Sequence, residues 1–172
     1  MAFKGWTRVA AMLAAVGAIP AAHAQVNVAD AFSKGRLHGI ITAGSGAAFN
    51  ETYLVLGAGV SYFLLDGLSV GLNLEAWRNA DPTLTKLTPS IQYVFYKVPA
   101  IKPYVGAFYR RTYISGLDDL NSYGARAGAY FQLGRNAFLG VGGVYETYSD
   151  CRESVYRSCS ETYPEVSLTF AF

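Results

Sequence analysis

Few residues in this chain are equipped for chemistry, and they fall into three groups. The first is a set of ionisable side chains, Glu75, Arg110, Arg126, Glu146 and Glu165, each embedded in a stretch otherwise built from apolar and small residues. Carboxylates and guanidiniums in such surroundings must pair, because an unpaired buried charge costs several kcal/mol. The second group is Cys151 and Cys159, eight positions apart near the C-terminus. In an exported chain this pair reads as a disulfide closing a short loop, contributing roughly 2–3 kcal/mol by loop entropy. No further Cys or His stands nearby to complete a metal site, and no Cys-x-x-Cys motif makes a redox centre. The loop between them displays Arg152, Tyr156 and Arg157, a composition that recurs at binding hot spots and also suits phosphate groups. The third group is histidine, of which the chain has His23 and His38 only. Nucleophilic catalysis needs a serine or cysteine with a base held beside it, and no such constellation is legible, so no catalytic, cofactor-binding or metal-ligating residue is assigned.

The elements that position these residues begin with a removable one. Lys4 and Arg8 form a positive n-region, Val9 to Ile19 is an apolar stretch of 11 residues, and Pro20 ends it before Ala22-His23-Ala24. That order is a secretory signal peptide spanning 1–24, with cleavage before Gln25. The apolar stretch is far short of the ~20 residues that a spanning helix needs. Lys4 and Arg8 leave with the signal, so the 14 basic residues fall to 12, equal to the 12 acidic ones. A neutral mature chain offers no basic field for nucleic acid. Residues 25–35 form a lead-in with no assigned structure, either a short helix or an extended run.

From 36 to 172 the chain is strand-like. Charged residues are 15% of the sequence and aromatics another 15%, with 18 Gly, against roughly 25% charged residues in an ordinary soluble domain. No mature segment holds 18 consecutive apolar residues, which excludes spanning helices. Period-two alternation recurs instead. Leu54, Leu56, Ala58, Val60, Tyr62 and Leu64 face one way and Tyr53, Val55, Gly57, Gly59, Ser61 and Phe63 the other. The same split sets Leu72 and Leu74 against Asn73 and Glu75, Val105 and Tyr109 against Gly106 and Arg110, and Ala125 and Ala127 against Arg126 and Gly128. It continues through Val141 and Tyr145 against Gly142 and Glu146, and through Val166, Leu168, Phe170 and Phe172 against Glu165, Ser167 and Thr169. A run from Ile91 to Phe95 fits the same pattern, and a first strand near Arg36 to Ala47 has poor parity. Eight strands result. Their connections are expected to alternate between compact turns (Asp66-Gly67, Val98 to Ile101, Gly134 to Asn136) and longer polar links (Gly44 to Glu51, Arg78 to Lys86, Ser115 to Asn121, Ser149 to Ser160).

Which face is wet decides the class. A soluble eight-stranded barrel turns its apolar residues inward. Doing so here leaves an outer surface of Gly, Ser, Tyr and Phe, with too few charges for a soluble protein. With the apolar set turned outward against lipid, both faces are satisfied, and closure leaves no unpaired strand edge in hydrocarbon. The expected fold is therefore all-β, an eight-stranded antiparallel up-and-down transmembrane β-barrel. Tyr62, Tyr93, Phe95, Phe131, Phe170 and Phe172 gather at one end of the outward faces and Tyr109, Tyr113, Tyr123 and Tyr145 at the other, as two aromatic belts. The five ionisable residues then point into a lumen just wide enough for side chains to fill. A network of salt bridges plugging that lumen is the first reading, and a narrow channel gated by exchange of Arg–Glu partners is the alternative.

At this point the chain resembles a known class. It looks like the small eight-stranded outer-membrane barrels of Gram-negative bacteria, the OmpA/OmpX/NspA-like superfamily, along the whole mature chain. The residues carrying the resemblance are the terminal Val166-x-Leu168-x-Phe170-x-Phe172 and the run Pro103-Tyr104-Val105-Gly106-Ala107. The resemblance implies a Gram-negative outer-membrane location among lipid and lipopolysaccharide. It also implies that the terminal residues form the signal read by the barrel assembly machinery. Expected roles are structural or surface-interacting, with no cofactor and with Arg152, Tyr156 and Arg157 as candidate contacts for an unnamed surface partner or for lipopolysaccharide phosphates. No peptidoglycan-binding domain follows Phe172 in this sequence, so cell-wall anchoring is not implied. Lipid A deacylases and palmitoyltransferases also use eight-stranded barrels. This chain lacks the late-strand His-x-Ser pair that the deacylases would show, and lipid modification is the least favoured expectation.

Overall fold

The computed structural model describes residues 30–48, 51–149 and 159–172. The signal at 1–24 and the loop residues Cys151, Arg152, Tyr156 and Arg157 lie outside the described residues. Eight strands follow one another: β1 Leu37–Ala48, β2 Glu51–Leu65, β3 Leu68–Arg78, β4 Leu84–Val94, β5 Ile101–Ile114, β6 Leu120–Gln132, β7 Ala137–Tyr148 and β8 Ser160–Ala171. Each pairs antiparallel with the next and β8 returns to β1, so the sheet is a closed all-β barrel. The closing seam runs from His38↔Ala171 to Ile41↔Leu168, and the Phe172 amide extends it by donating to the Leu37 carbonyl at 2.9 Å. An even number of strands brings the start of β1 and the end of β8 to the same end of the barrel, called here the terminal end.

The alternation read from the sequence is the alternation of exposure. Along β2 the even positions from Leu54 to Leu64 are exposed, while Tyr53 and Phe63 are buried. Along β5 the odd positions from Val105 to Tyr113 are exposed, while Tyr104, Phe108, Arg110, Thr112 and Ile114 are buried. Tyr62, Tyr93, Phe95, Phe131 and Phe172 stand on the outer wall towards the terminal end, and Tyr109, Tyr113, Tyr123 and Tyr145 towards the other. β1 has poor parity because lumen-facing Ile40 is apolar while outward Gly39 carries no side chain to mark its face. Pairing with β2 from Leu37↔Tyr62 to Ala48↔Glu51 nonetheless makes it a full strand.

The connections correct the expected short–long alternation. β1 runs to Ala48 and β2 starts at Glu51, leaving only 49–50 between them where a link from Gly44 to Glu51 was anticipated. β4 begins at Leu84 rather than after Lys86, which leaves 79–83 as the preceding link. The polar residues in these stretches are strand ends that still pair with their neighbours, as in Glu75↔Lys86 and Ala76↔Thr85. At the terminal end Gly67 closes the β2–β3 turn at φ +80°, a conformation few L-residues adopt. A Cβ there would also meet the Val94 carbonyl at 2.5 Å, so the turn requires glycine.

Residues 30–36 of the lead-in fold back into the barrel. Asp30–Phe32 makes one 3-10 turn, with Ala31 and Phe32 fully buried. Phe32 enters an apolar cluster with Phe63, Val94, Tyr104, Tyr130, Phe138 and Ala171, all drawn from the inward faces of different strands.

Candidate functional site

The lumen contains the ionisable side chains because period-two parity on β3, β5, β6, β7 and β8 turns Glu75, Arg110, Arg126, Glu146 and Glu165 inward. Arg110 holds the centre. Its Nη1 donates to Glu146 Oε2 at 2.6 Å and to the Tyr163 hydroxyl at 2.7 Å, and its Nε donates to Thr88 Oγ1 at 3.0 Å. Nη2 lies 3.8 Å from Glu75 Oε1, a looser ion pair. Glu146 is equally saturated, accepting from Ser122 Oγ at 2.5 Å and from the Tyr163 hydroxyl at 2.6 Å. Its side chain is 1% exposed and that of Arg110 is 4% exposed, so water cannot substitute for these partners. Charge-assisted bonds of this length are among the strong ones, and their number offsets the desolvation of two ions.

Arg126 and Glu165 form a second pair at 3.3 Å. Arg126 Nε is buried without a protein hydrogen-bond partner among the described residues. The guanidinium carbons of Arg110 and Arg126 lie 4.9 and 5.0 Å from the centroid of the Phe108 ring, which therefore couples the two pairs through cation–π contacts.

Sequence reasoning missed several partners. Lys86, expected at the end of a link, is buried on β4 opposite Glu75, with Nζ 3.7 Å from the centroid of the Trp77 ring. Trp77 Nε1 donates to Glu75 Oε2 at 3.3 Å, so indole, ammonium and carboxylate form one group. Among the described residues, Lys86 thus joins Arg110 and Arg126 as a cation set beside Glu75, Glu146 and Glu165 in the lumen. Thr88, Ser122 and Tyr163 were also missed. Carrying the β4 alternation back from Ser90 through Thr88 to Lys86, and the β8 alternation back from Glu165 to Tyr163, would have found three of these four.

Two apolar layers bracket the polar one. At the loop end Tyr53, Leu84 and Ile114 are buried with Trp77, Ala80 and Leu120 packed on them, and the Tyr53 hydroxyl donates to the Pro82 carbonyl at 3.0 Å. At the terminal end lies the cluster around Phe32. Between the ion pairs and that cluster is a polar cavity of about 30 Å³, with Ser61, Ser69, Asn73, Ser90 and Gln92 among its walls. Such a space holds one or two waters and little more.

His38 sits at the terminal end, away from the loop end. It is buried, and its ring packs edge-on against Phe32 and Phe63 at 5.4 and 4.8 Å. Nε2 lies 2.7 Å from the Ala31 carbonyl. A carbonyl only accepts, so Nε2 carries the proton and donates. Val166, Leu168, Phe170 and Phe172 lie along the outward face of β8 up to the chain end, with Val166 and Phe172 the most exposed. Cys159 stands just before β8, where its carbonyl accepts from the Tyr148 amide at 3.0 Å.

No protein-family model matches this sequence, and no curated protein does. Among solved structures, the chain is similar to the crystal structure of the N-terminal β-barrel domain of Pseudomonas aeruginosa OprF. The TM-score is 0.60 at 15% identity, covering 81% of this chain and 98% of that one. It is also similar to the crystal structure of Neisserial surface protein A, NspA, with TM-score 0.54 at 14% identity, covering 80% of this chain and 95% of that one. At such identities the likeness concerns the backbone alone. The chain has the fold of the small eight-stranded outer-membrane barrels.

Proposed function

We propose that this chain is an integral outer-membrane protein, exported through a signal peptide at 1–24, with a structural or surface-interacting role and a lumen plugged by its Arg–Glu network. The observation that carries the reading is the inversion of ordinary burial. Leu56, Val60, Leu72, Leu74, Val105, Val141 and Val166 all stand exposed on the outer wall, while Arg110 and Glu146 are buried inside. A surface so apolar is unstable in water and natural in hydrocarbon. In this reading the terminal end faces the periplasm, and Val166, Leu168, Phe170 and Phe172 serve as the assembly signal. Cys151 and Cys159 close the loop before β8 as a disulfide, Arg152 and Arg157 meet lipopolysaccharide phosphates, and Tyr156 joins them as a surface contact. The test is migration on a detergent gel before and after boiling, combined with membrane fractionation. Expected are a boiling-dependent shift and recovery with the outer membrane. Recovery as a freely dissolved periplasmic monomer would end the proposal.

A second reading, a narrow gated path, has one observation in its favour. The Glu75–Arg110 pair is loose at 3.8 Å, and Arg126 Nε has no hydrogen-bond partner among the described residues, which favours exchange of charge partners. Arg126→Ala is expected to change the size or frequency of single-channel steps in planar bilayers if this path exists. Bilayers that stay featureless with both proteins would leave the plugged barrel as the sole reading.

A further inference from the structure

The lead-in does more than connect the export signal to β1. Phe32 has no exposed surface, and its ring is ringed by aromatic side chains from four strands. The centroids of Phe138, His38, Phe63 and Tyr130 lie 5.0, 5.4, 5.9 and 5.9 Å away. Rings at these separations and tilts make favourable edge and offset contacts, so the box is built to receive an aromatic side chain.

Polar contacts clamp the backbone on either side of that ring. The Gly67 amide donates to the Phe32 carbonyl at 2.8 Å, the Gly35 amide to the Phe63 carbonyl at 2.8 Å, and His38 Nε2 to the Ala31 carbonyl at 2.7 Å. The Lys34 amide donates to Asp66 Oδ1 at 2.8 Å, which ties the segment to the β2–β3 turn. His38, Phe63 and Tyr130, which touch or nearly touch Phe32, also line the polar cavity above it. The segment therefore lies between that cavity and the solvent at the terminal end. The Phe63 amide also donates to the Arg36 carbonyl at 3.0 Å, so residues 35–36 prolong the β1–β2 pairing, whereas residues 30–34 are held by separate contacts and can leave without unpairing a strand.

From this arrangement we infer that residues 30–34 are a removable stopper, hinged where Gly35 and Arg36 join the β1–β2 pairing. Phe32 is the seal, the Lys34–Asp66 contact is an exposed latch, and the lumen communicates with the terminal-end solvent only when the segment withdraws. The placement of that end in the periplasm rests on the membrane reading above, but the sealing does not. The test can therefore be run on folded protein in detergent micelles, with the boiling-dependent gel shift as a separate check of barrel closure.

The reporter is Ser69→Cys, which replaces a buried cavity-lining residue. The probe is a small, charged methanethiosulfonate, with the parent chain as the control for reaction at Cys151 or Cys159. With Phe32 intact, Ser69→Cys is expected to react slowly. Adding Phe32→Ala should raise the rate about tenfold or more, whereas Phe32→Leu, which still fills the box, should leave it within about twofold. Asp66→Ala, a change at an exposed turn that leaves every strand intact, should raise it by a smaller factor, about two- to fivefold. If Phe32→Ala fails to give the folded band, the Asp66→Ala result decides alone. Equal rates in all folded variants, fast or slow, would overturn the inference: fast means that the segment does not seal, and slow means that something else does.

Discussion

Replacing Arg110 with methionine is expected to cost about 3–5 kcal/mol of stability, the usual penalty for breaking one side of a buried ion pair. The loss is large because Glu146 would be left 1% exposed with no guanidinium and only Ser122 and Tyr163 as hydrogen-bond donors. Thr88 Oγ1 would lose its cation as well, and the Phe108 ring would keep only that of Arg126. Methionine retains most of the apolar stem, so the change isolates charge from volume. The measurement is a urea titration in detergent or lipid vesicles, read by the folded gel band and by tryptophan emission. With the signal removed, Trp77 is the one tryptophan left, and it sits beside Glu75 and Lys86 within the same group. The double variant Arg110→Met with Glu146→Gln removes both charges and should recover at least half of the loss, since the stranded carboxylate is the costly element. A loss below about 1 kcal/mol for the single change, or no recovery in the double, would mean that the lumen holds its charges in water rather than in each other.

How far the sequence could be read depended on the range of the physics involved. Strand parity is a local property, set by side chains two apart. It was legible wherever one face was nearly all apolar, as from Leu54 to Leu64 or Val166 to Phe172. It blurred at β1, where Gly39 and Ile40 invert the expected contrast, and it stopped short at β4, where Lys86 reads as the polar end of a link and Thr88 precedes the first clear alternation. The turn at Asp66-Gly67 was legible because its backbone needs glycine. Partner identity within the lumen was not. Arg110 and Glu146 are 36 residues apart and meet over the intervening β6 through the register of β5, β6 and β7, which leaves no pattern in either strand alone. Residues 30–36 were opaque for the same reason. A seven-residue run has no period to detect, and the box that receives Phe32 is assembled from side chains on β1, β2, β6 and β7.

Gly142 and Gly143 offer the sharpest test of inward and outward assignment, since adjacent glycines should respond in opposite ways to the same substitution. Gly142 faces the lumen, directly across the β6–β7 ladder from Gly128. A Cβ there would stand 2.6 Å from the Ala127 carbonyl oxygen, 2.6 Å from the Tyr104 hydroxyl and 3.1 Å from the Gly128 Cα. Two of those neighbours are ladder backbone and cannot withdraw without unpairing the strands. Gly142→Val is therefore expected to cost about 3 kcal/mol, at or beyond the upper end of the usual overpacking range. Its folded band should fall away at moderate urea or fail to form. At Gly143 an added Cβ meets nothing within 4 Å, because the position points out of the wall. Gly143→Val should change stability by less than about 1 kcal/mol, and in the stabilising direction, since a β-branched side chain favours the strand and lipid accepts it. Tyr104→Phe in the milder Gly142→Ala background removes the hydroxyl contact but not the Ala127 carbonyl one, so partial recovery is expected there and full recovery is not. Equal losses at 142 and 143 would show that volume on either face is limited by something other than the lumen, and reversed losses would turn the barrel inside out, placing Glu146 and Arg126 on its outer wall.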